Sequence, residues 1–269
     1  MSATLPMTLA DSMAGDADAP VLHRLEDGVL HITLNRAARR HALNFDMYLQ
    51  LAWLFTMASG NDAVRVVLLS GAANYFTAGN DLGDFIGYQE GDDFVPAHFL
   101  GALSRCTKPV VAAVEGGAIG VGSTLLLHCD VVYAGRSTKF LMPFINFALC
   151  PEGGSSLLLA RAAGYKQAAR WLMLGEPFGA AEALQAGLVT EVVDDLAAMD
   201  SAARAAAKLA ALPHAAVLQT KALMRRAEAG LVQSVLDDEC QAFAALLAAP
   251  EAQAALTSFT QAAARRAAA

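Results

Sequence analysis

Cysteine is scarce in this chain: four in 269 residues, Cys106, Cys129, Cys150 and Cys240, widely spaced and without a CxxC pair. That spacing gives no support to a disulfide framework or a zinc site and fits ordinary buried thiols in a reducing compartment. Charge is scarce too, at 17% of residues, and the balance is acidic, with a net charge of −7 and a pI near 5.3. No broad cationic face is available for a phosphate backbone, so nucleic acid is set aside as a main partner, although a local basic patch can still hold a small phosphorylated ligand. The first twenty residues, MSATLPMTLADSMAGDADAP, contain no Lys or Arg and lack the long apolar run of a signal peptide. No run elsewhere is long and apolar enough to span a bilayer. The terminal AAA is not a peroxisomal SKL-type address. These absences lead to the expectation of a cytoplasmic protein without a membrane partner, whose residues 1–19 are disordered. What is abundant is apolar side chain, 55% of the chain, enough for a sizeable core.

VLHRLEDGVLHITLNR, residues 21–36, reads as two β runs around EDG, a hairpin signal. Asn44 is placed to cap a helix through NFDMYLQLAWLFTMAS, whose apolar residues recur at helical spacing until Gly60. VRVVLLS (64–70), PVVAAVE (109–115) and CDVVYAG (129–135) are continuous apolar runs of the kind that fill parallel strands covered on both faces. Helical stretches lie between them, so the order predicts stacked βαβ units with right-handed crossovers. From about residue 196 the chain turns alanine-rich, interrupted by Pro213, Gly230 and Pro250, with no strand signal. About three helices are expected over 196–269. Their apolar faces either meet a second copy of the chain or pack back onto the sheet.

Two loops and one acid stand out chemically. VEGGAIGVGSTLLL (114–127) follows a strand and opens a helix, leaving N–H groups that can face a developing negative charge. It is neither GxGxxG nor a P-loop, and a purely structural tight turn accounts for its glycines equally. NYFTAGNDLGDF (74–85) is a second such place, with Asn80 or Asp81 positioned as a cap. The acid is Glu152, in CPEGGSS, the only ionisable carboxyl between Phe140 and Leu159. A carboxyl in such apolar company is paired, neutralised or used. It can also be read as a helix-start carboxylate for SSLLLARAAG.

LNRAARRHALN (34–44), YFTAGNDL (75–82), KPVVAAVEGGAIGVGSTLLLHCDVVYAG (108–135) and AEALQAGLVTEVV (181–193) resemble, in order and spacing, the signature blocks of the crotonase, or enoyl-CoA hydratase/isomerase, superfamily. The resemblance implies an α/β fold of the ClpP/crotonase-like type: a spiral of ββα units over residues 20–195, then a C-terminal helical trimerisation region over 196–269. It implies an acyl-CoA thioester as substrate, coenzyme A being part of that substrate, with no separate cofactor and no metal, and a homotrimer or a dimer of trimers. By position it assigns the thioester oxygen to the backbone N–H groups of Asn80 and Val121. Contacts to the CoA part fall on Arg39, Arg40, His41, Ala42 and Leu43, on Ala78, Gly79, Asn80, Asp81 and Leu82, and on Gly120 and Val121.

The two catalytic glutamates of hydratases in this superfamily correspond here to Thr124 and Phe144, neither of which is an acid. MPFINFALCPEGGSS (142–156) is instead similar to the peroxisomal-type Δ3,Δ2-enoyl-CoA isomerases, whose single catalytic glutamate then corresponds to Glu152. The resemblance therefore implies an isomerase that shuttles one proton. Another enolate-forming enzyme, such as a hydratase or thioester hydrolase, and a non-catalytic acyl-CoA-binding oligomer are the alternatives.

Overall fold

The computed structural model describes residues 18–267, so the expected disordered start lies outside the described residues apart from its last two positions. Strands Val21–Glu26 (β1) and Val29–Leu34 (β2) pair antiparallel with Glu26 opposite Val29. Asp27 and Gly28 between them both take positive φ, which the EDG turn signal requires. Helix Phe45–Gly60 (α1) starts where expected: Asn44 Oδ1 accepts the Met47 N–H at 3.0 Å. It buries Met47, Leu51, Leu54, Phe55 and Ala58 along one face.

The apolar runs become Val66–Gly71 (β3), then, after helix Pro96–Ser104 (α2), Val110–Val114 (β4). Short elements follow: Gly117–Ile119 (β5), one helical turn Val121–Thr124 (α3), Val131–Gly135 (β6), Lys139–Leu141 (β7), Ser155–Ala163 (α4), Tyr165–Met173 (α5), Phe178–Gly179 (β8), Ala180–Gln185 (α6) and Glu191–Val193 (β9). One six-stranded sheet runs β1-β2-β3-β4-β6-β9, parallel from β2 onward, and a smaller sheet runs β5-β7-β8. Successive passes of the chain thus add one strand to each layer, β4 then β5, β6 then β7. Parallel bridges Leu43↔Asn80 and Thr77↔Ala118 continue the second layer towards the chain's start. This is the expected spiral of ββα units.

The C-terminal region corrects one expectation: it holds four helices, Ala198–Ala211 (α7), His214–Arg226 (α8), Ala229–Ala248 (α9) and Pro250–Ala267 (α10). Pro213 lacks an N–H and separates α7 from a helix that restarts at once, so the first alanine-rich run is two helices. Gly230 does not break the chain; it sits inside α9. Ala198, Ala202, Ala206 and Ala210, four residues apart, lay one stripe of α7 on Val29, Val66, Leu68, Val111 and Ala113. Methyl side chains let the helix axis come close to the sheet, so this apolar face packs back on its own chain. Leu236, Phe243 and Leu247 of α9 and Ala252 and Leu256 of α10 join the main core. Among the described residues no helix is long and apolar enough to cross a membrane.

The close approach of α7 is testable. Ala206 is fully buried and Ala207 exposed. Ala206→Leu is expected to cost about 1–3 kcal/mol through overpacking, read as a lower urea midpoint at unchanged slope. Ala207→Leu should stay within about 0.5 kcal/mol of wild type.

Candidate active site

The second layer brings the two singled-out loops side by side. Thr77 N–H donates to Gly117 O at 3.0 Å and Ile119 N–H donates to Thr77 O at 3.1 Å. Gly79 has φ +86°, and a Cβ there would lie 2.5 Å from Ile119 O, so only glycine allows this approach. Around Asn80 the backbone donors are consumed: Ala78 N–H by Arg40 O at 2.9 Å and Asp81 N–H by Leu43 O at 2.8 Å. On the facing loop Gly120 N–H goes to Leu141 O at 2.7 Å, and Ser123 and Thr124 N–H go to Gly120 O. The N–H groups of Asn80 and Val121 find no acceptor among the described residues. The structure therefore leaves open the two donors that the sequence singles out.

Glu152 is 1% exposed. Its Oε1 accepts the Thr124 hydroxyl at 2.5 Å, and its Oε2 is buried without a partner. Burial is the main influence on this carboxyl; Thr124 opposes it, the charge of Glu239 adds to it, and the pKa is pushed from 4.5 up to about 8. The helix-start reading of Glu152 fails for its side chain. The N–H groups of Gly154 and Ser156, at the beginning of α4, donate to Glu239 at 2.6 and 2.8 Å instead. Gly153, at φ +73°, has room only for hydrogen, since a Cβ would stand 2.9 Å from Thr124 Oγ1. His128 is buried, with its pKa pushed down to about 4 chiefly by desolvation. It is neutral near pH 7, and its Nε2–H donates to Gly153 O at 2.7 Å.

Two functional candidates were not singled out by sequence. Tyr48, on α1, donates its hydroxyl to Asn80 Oδ1 and so braces the residue that offers a free N–H. Its pKa is raised by burial and then by the charge of Glu152, which sets phenol and carboxyl in the same electrostatic neighbourhood. Nothing in its local pattern separates it from an ordinary core aromatic. Glu239 did leave a signal: Leu236, Glu239, Phe243 and Leu247 form the buried stripe of α9, and a carboxylate on such a stripe needs a partner.

A cleft of about 780 Å³ has Arg39, Ala42, Ala78, Gly79, Asn80, Asp81, Leu82 and Gly120 on its wall. Phe144, Phe147, Leu149, Phe243 and Phe259 line it further. Arg36 and Arg39 hold the two oxygens of Asp81 at 2.6 and 3.1 Å. Burial pushes the Asp81 carboxyl up, but Arg36, the Gly83 N–H and Arg39 together outweigh it and hold the pKa below the usual value. Arg40, His41 and Leu43, the other positions of that segment, do not line the cleft. The Arg40 guanidinium lies over the Tyr75 ring, 5.8 Å from its centre, and Leu43 is in the core. The buried His41 ring accepts the Arg36 N–H at 2.8 Å and bonds Ala72 O at 2.9 Å. The backbone turn of 40–43 shapes the site while its side chains brace the scaffold. Glu152 and Val121 are buried and stand off the wall, at 1% and 0% exposure. Among the described residues no three His, Cys, Asp or Glu side chains gather as metal ligands.

Comparison with known proteins places these features in a family. The profile of the family described as Enoyl-CoA hydratase/isomerase matches residues 24–265. The 1,2-epoxyphenylacetyl-CoA isomerase of Escherichia coli is 36% identical over 81% of this chain and 87% of its own length. The 2,3-dehydroadipyl-CoA hydratase of the same organism is 33% identical over 87% of this chain and 92% of its own. The crystal structure of an enoyl-CoA hydratase/isomerase from Pseudoalteromonas atlantica superimposes with a TM-score of 0.85 and 40% identity, covering 90% of this chain and 97% of that one.

The raised pKa of Glu152 makes a stability prediction. The unfolded chain ionises this residue near 4.5 while the folded chain holds its proton to about 8, so folding stability is full below pH 4.5, falls between 4.5 and 8, and levels off above. Glu152→Gln removes that loss. Relative to wild type its unfolding free energy should rise progressively across this window, by on the order of a few kcal/mol in all. Parallel denaturation curves at pH 4, 6 and 8.5 check this; a constant offset at all three would refute it.

Proposed function

The chain belongs to the enoyl-CoA hydratase/isomerase family of the crotonase superfamily, and from that premise we propose that it is a Δ3,Δ2-enoyl-CoA isomerase with Glu152 as its single base. The relatives divide between isomerases and hydratases, so the choice rests on side chains. The observation that carries it is Glu152 itself: a buried carboxyl with one free oxygen and a pKa near neutrality. Meanwhile Thr124 and Phe144 stand where a hydratase keeps its two acids. Phe144 cannot move a proton, and a neutral hydroxyl is a poor base for water.

In this reading the thioester oxygen of a 3-enoyl-CoA accepts the N–H groups of Asn80 and Val121. Glu152 removes a proton from C2, the charge spreads over a dienolate, and the same carboxyl returns a proton at C4. No water enters the product. A donor aimed at a developing oxyanion is worth roughly 2.7–4 kcal/mol in a well-studied hydrolase, and a placed acid–base group adds about 10² to 10⁴-fold. A pKa between substrate acidity and bulk pH suits a group that must both take and give a proton.

Thr124 fits the shuttle. Its hydroxyl oxygen lies 2.5 Å from Glu152 Oε1 and 3.3 Å from Val121 O, and carries a single proton to share between them. Facing a carboxylate it donates to Glu152. Once Glu152 carries the proton, the hydroxyl turns to Val121 O and leaves a lone pair for the new acid. The residue that replaced a hydratase glutamate thus supports both protonation states of the base. Arg39, beside the cleft mouth segment 78–82, is the side chain placed for the phosphates of the CoA part.

Glu152→Gln should lower the conversion of 3-enoyl-CoA to 2-enoyl-CoA at least 100-fold while acyl-CoA binding persists. The product should have the mass of the substrate; a mass gain of one water, or an active Gln variant, sinks the assignment. For the wild type the base must start ionised, so kcat/KM should climb about tenfold per pH unit up to about pH 8, then flatten. A profile already flat from pH 5 would count against Glu152.

A further inference from the structure

Nothing in the reading above uses another buried carboxyl, Glu239, which is 7% exposed and comes from α9, 87 residues beyond Glu152. We propose that Glu239 is the positioning residue of the base: it clamps the turn that carries Glu152 and holds a fixed negative charge beside it.

The clamp is two backbone bonds. Gly154 N–H donates to one oxygen at 2.6 Å and Ser156 N–H to the other at 2.8 Å, so a single carboxylate spans the start of α4. Gly154 itself is at φ +71° and has no side chain with which to cap the helix. Glu239 does that work from another part of the chain, and the helix's positive end favours its charge. On the other side of the turn, His128 fixes Gly153 O and Thr124 fixes Glu152 Oε1. Glu152, Gly153 and Gly154 are thereby pinned from α3, from the turn after it and from α9.

Burial raises the Glu239 pKa too, but the Ser156 and Gly154 groups that bond it oppose that rise, and the donor count decides which of the two carboxyls holds the charge. Glu239 accepts from two backbone N–H groups at a helix start, whereas Glu152 has one hydroxyl donor and one bare oxygen. Of two neighbouring buried carboxyls, the better-solvated one keeps the negative charge and the other keeps the proton. The remaining titratable groups at this place do not compete. Cys150 on the loop and Cys240 on α9 are held up at about 11 and about 12 by burial and then by carboxylate charge, so both stay thiols. Asp237, on the exposed side of α9, accepts from Gln233 at 2.8 Å, and the ring of His128 is neutral.

The proposal rests on the reading of Glu152 as the base, and the experiment separates the two. Infrared titration of the protein without substrate, with the Glu152→Gln variant subtracted, isolates the protonated carboxyl of Glu152. In Glu239→Gln, which keeps size but loses charge, its midpoint should move to lower pH, and the high-pH plateau of kcat on 3-enoyl-CoA should drop roughly 10- to 100-fold through the loosened turn. In Glu239→Asp, which keeps charge but shortens the reach, the midpoint should stay near that of wild type while the plateau falls. A wild-type midpoint in folded Glu239→Gln overturns the electrostatic half, and a wild-type plateau overturns the clamp. Because the titration reads Glu152 directly, it stands even if 3-enoyl-CoA proves not to be the substrate.

Discussion

One unfavourable burial organises this molecule. A carboxyl at 1% exposure, with one hydroxyl donor and one oxygen unpartnered, is a group that water would hold better than the protein does. The fold keeps it there by fixing everything around it. Thr124 is pinned in a one-turn helix, Gly153 makes way for the Thr124 hydroxyl, and Glu239 takes the helix-start donors that would otherwise have stabilised Glu152 as a carboxylate. Had Glu152 accepted those two N–H groups, its pKa would sit low and it would be a structural cap with no appetite for a substrate proton. The same acid in the same turn is a cap or a base according to where Glu239 lies.

The two open backbone donors depend on a related kind of frustration. Two backbone N–H groups are left open because neighbouring donors and acceptors in both loops are satisfied by strand-like pairing that stops one residue short. Leu43 pairs around Asn80 with its N–H to Gly79 O and its O to Asp81 N–H, so Asn80 N–H is aimed out of the ladder. Val121 opens a helical turn and has no earlier acceptor. The ββα spiral is suited to this arrangement, since each pass sets one short strand end beside the previous one, and the Gly79 contact with Ile119 O makes the approach closer than any side chain would permit.

Most of the scaffold was legible from local patterns, because its determinants are local. The EDG turn, the Asn44 cap and the apolar runs of β3, β4 and β6 each report their structure within a few residues. Glu152 was legible as an isolated charge in an apolar stretch. What escaped was set by partners far away in sequence. Arg40 stays exposed but lies over the Tyr75 ring, while His41, which looks like an exposed basic residue of a loop, is buried against Ala72 by the tight turn at positive φ. The helix-start reading of Glu152 was reasonable until a competing carboxylate from α9 claimed the same donors. Alanine spacing in α7 showed a packing face without saying whether sheet or second copy covered it, because a methyl stripe fits either.

The C-terminal helices are therefore integral to the candidate site as well as to the core. Glu115, at the end of β4, accepts the Ala198 N–H at 3.0 Å and anchors the first turn of α7, so the helical region is tied to the sheet by the same device that Glu239 uses in the opposite direction. Phe243 of α9 faces Phe144 at 6.2 Å, and Phe259 of α10 meets Phe147 at 5.2 Å, which puts the apolar wall of the cleft half on the spiral and half on the helices. A composition change near residue 196 marks where alanine becomes frequent; it does not divide the chemistry. The cap of α4 and the wall of the cleft are built from both sides of that point. The bonds from Glu239 to Gly154 and Ser156 thus tie the docking of α9 to the turn that carries Glu152.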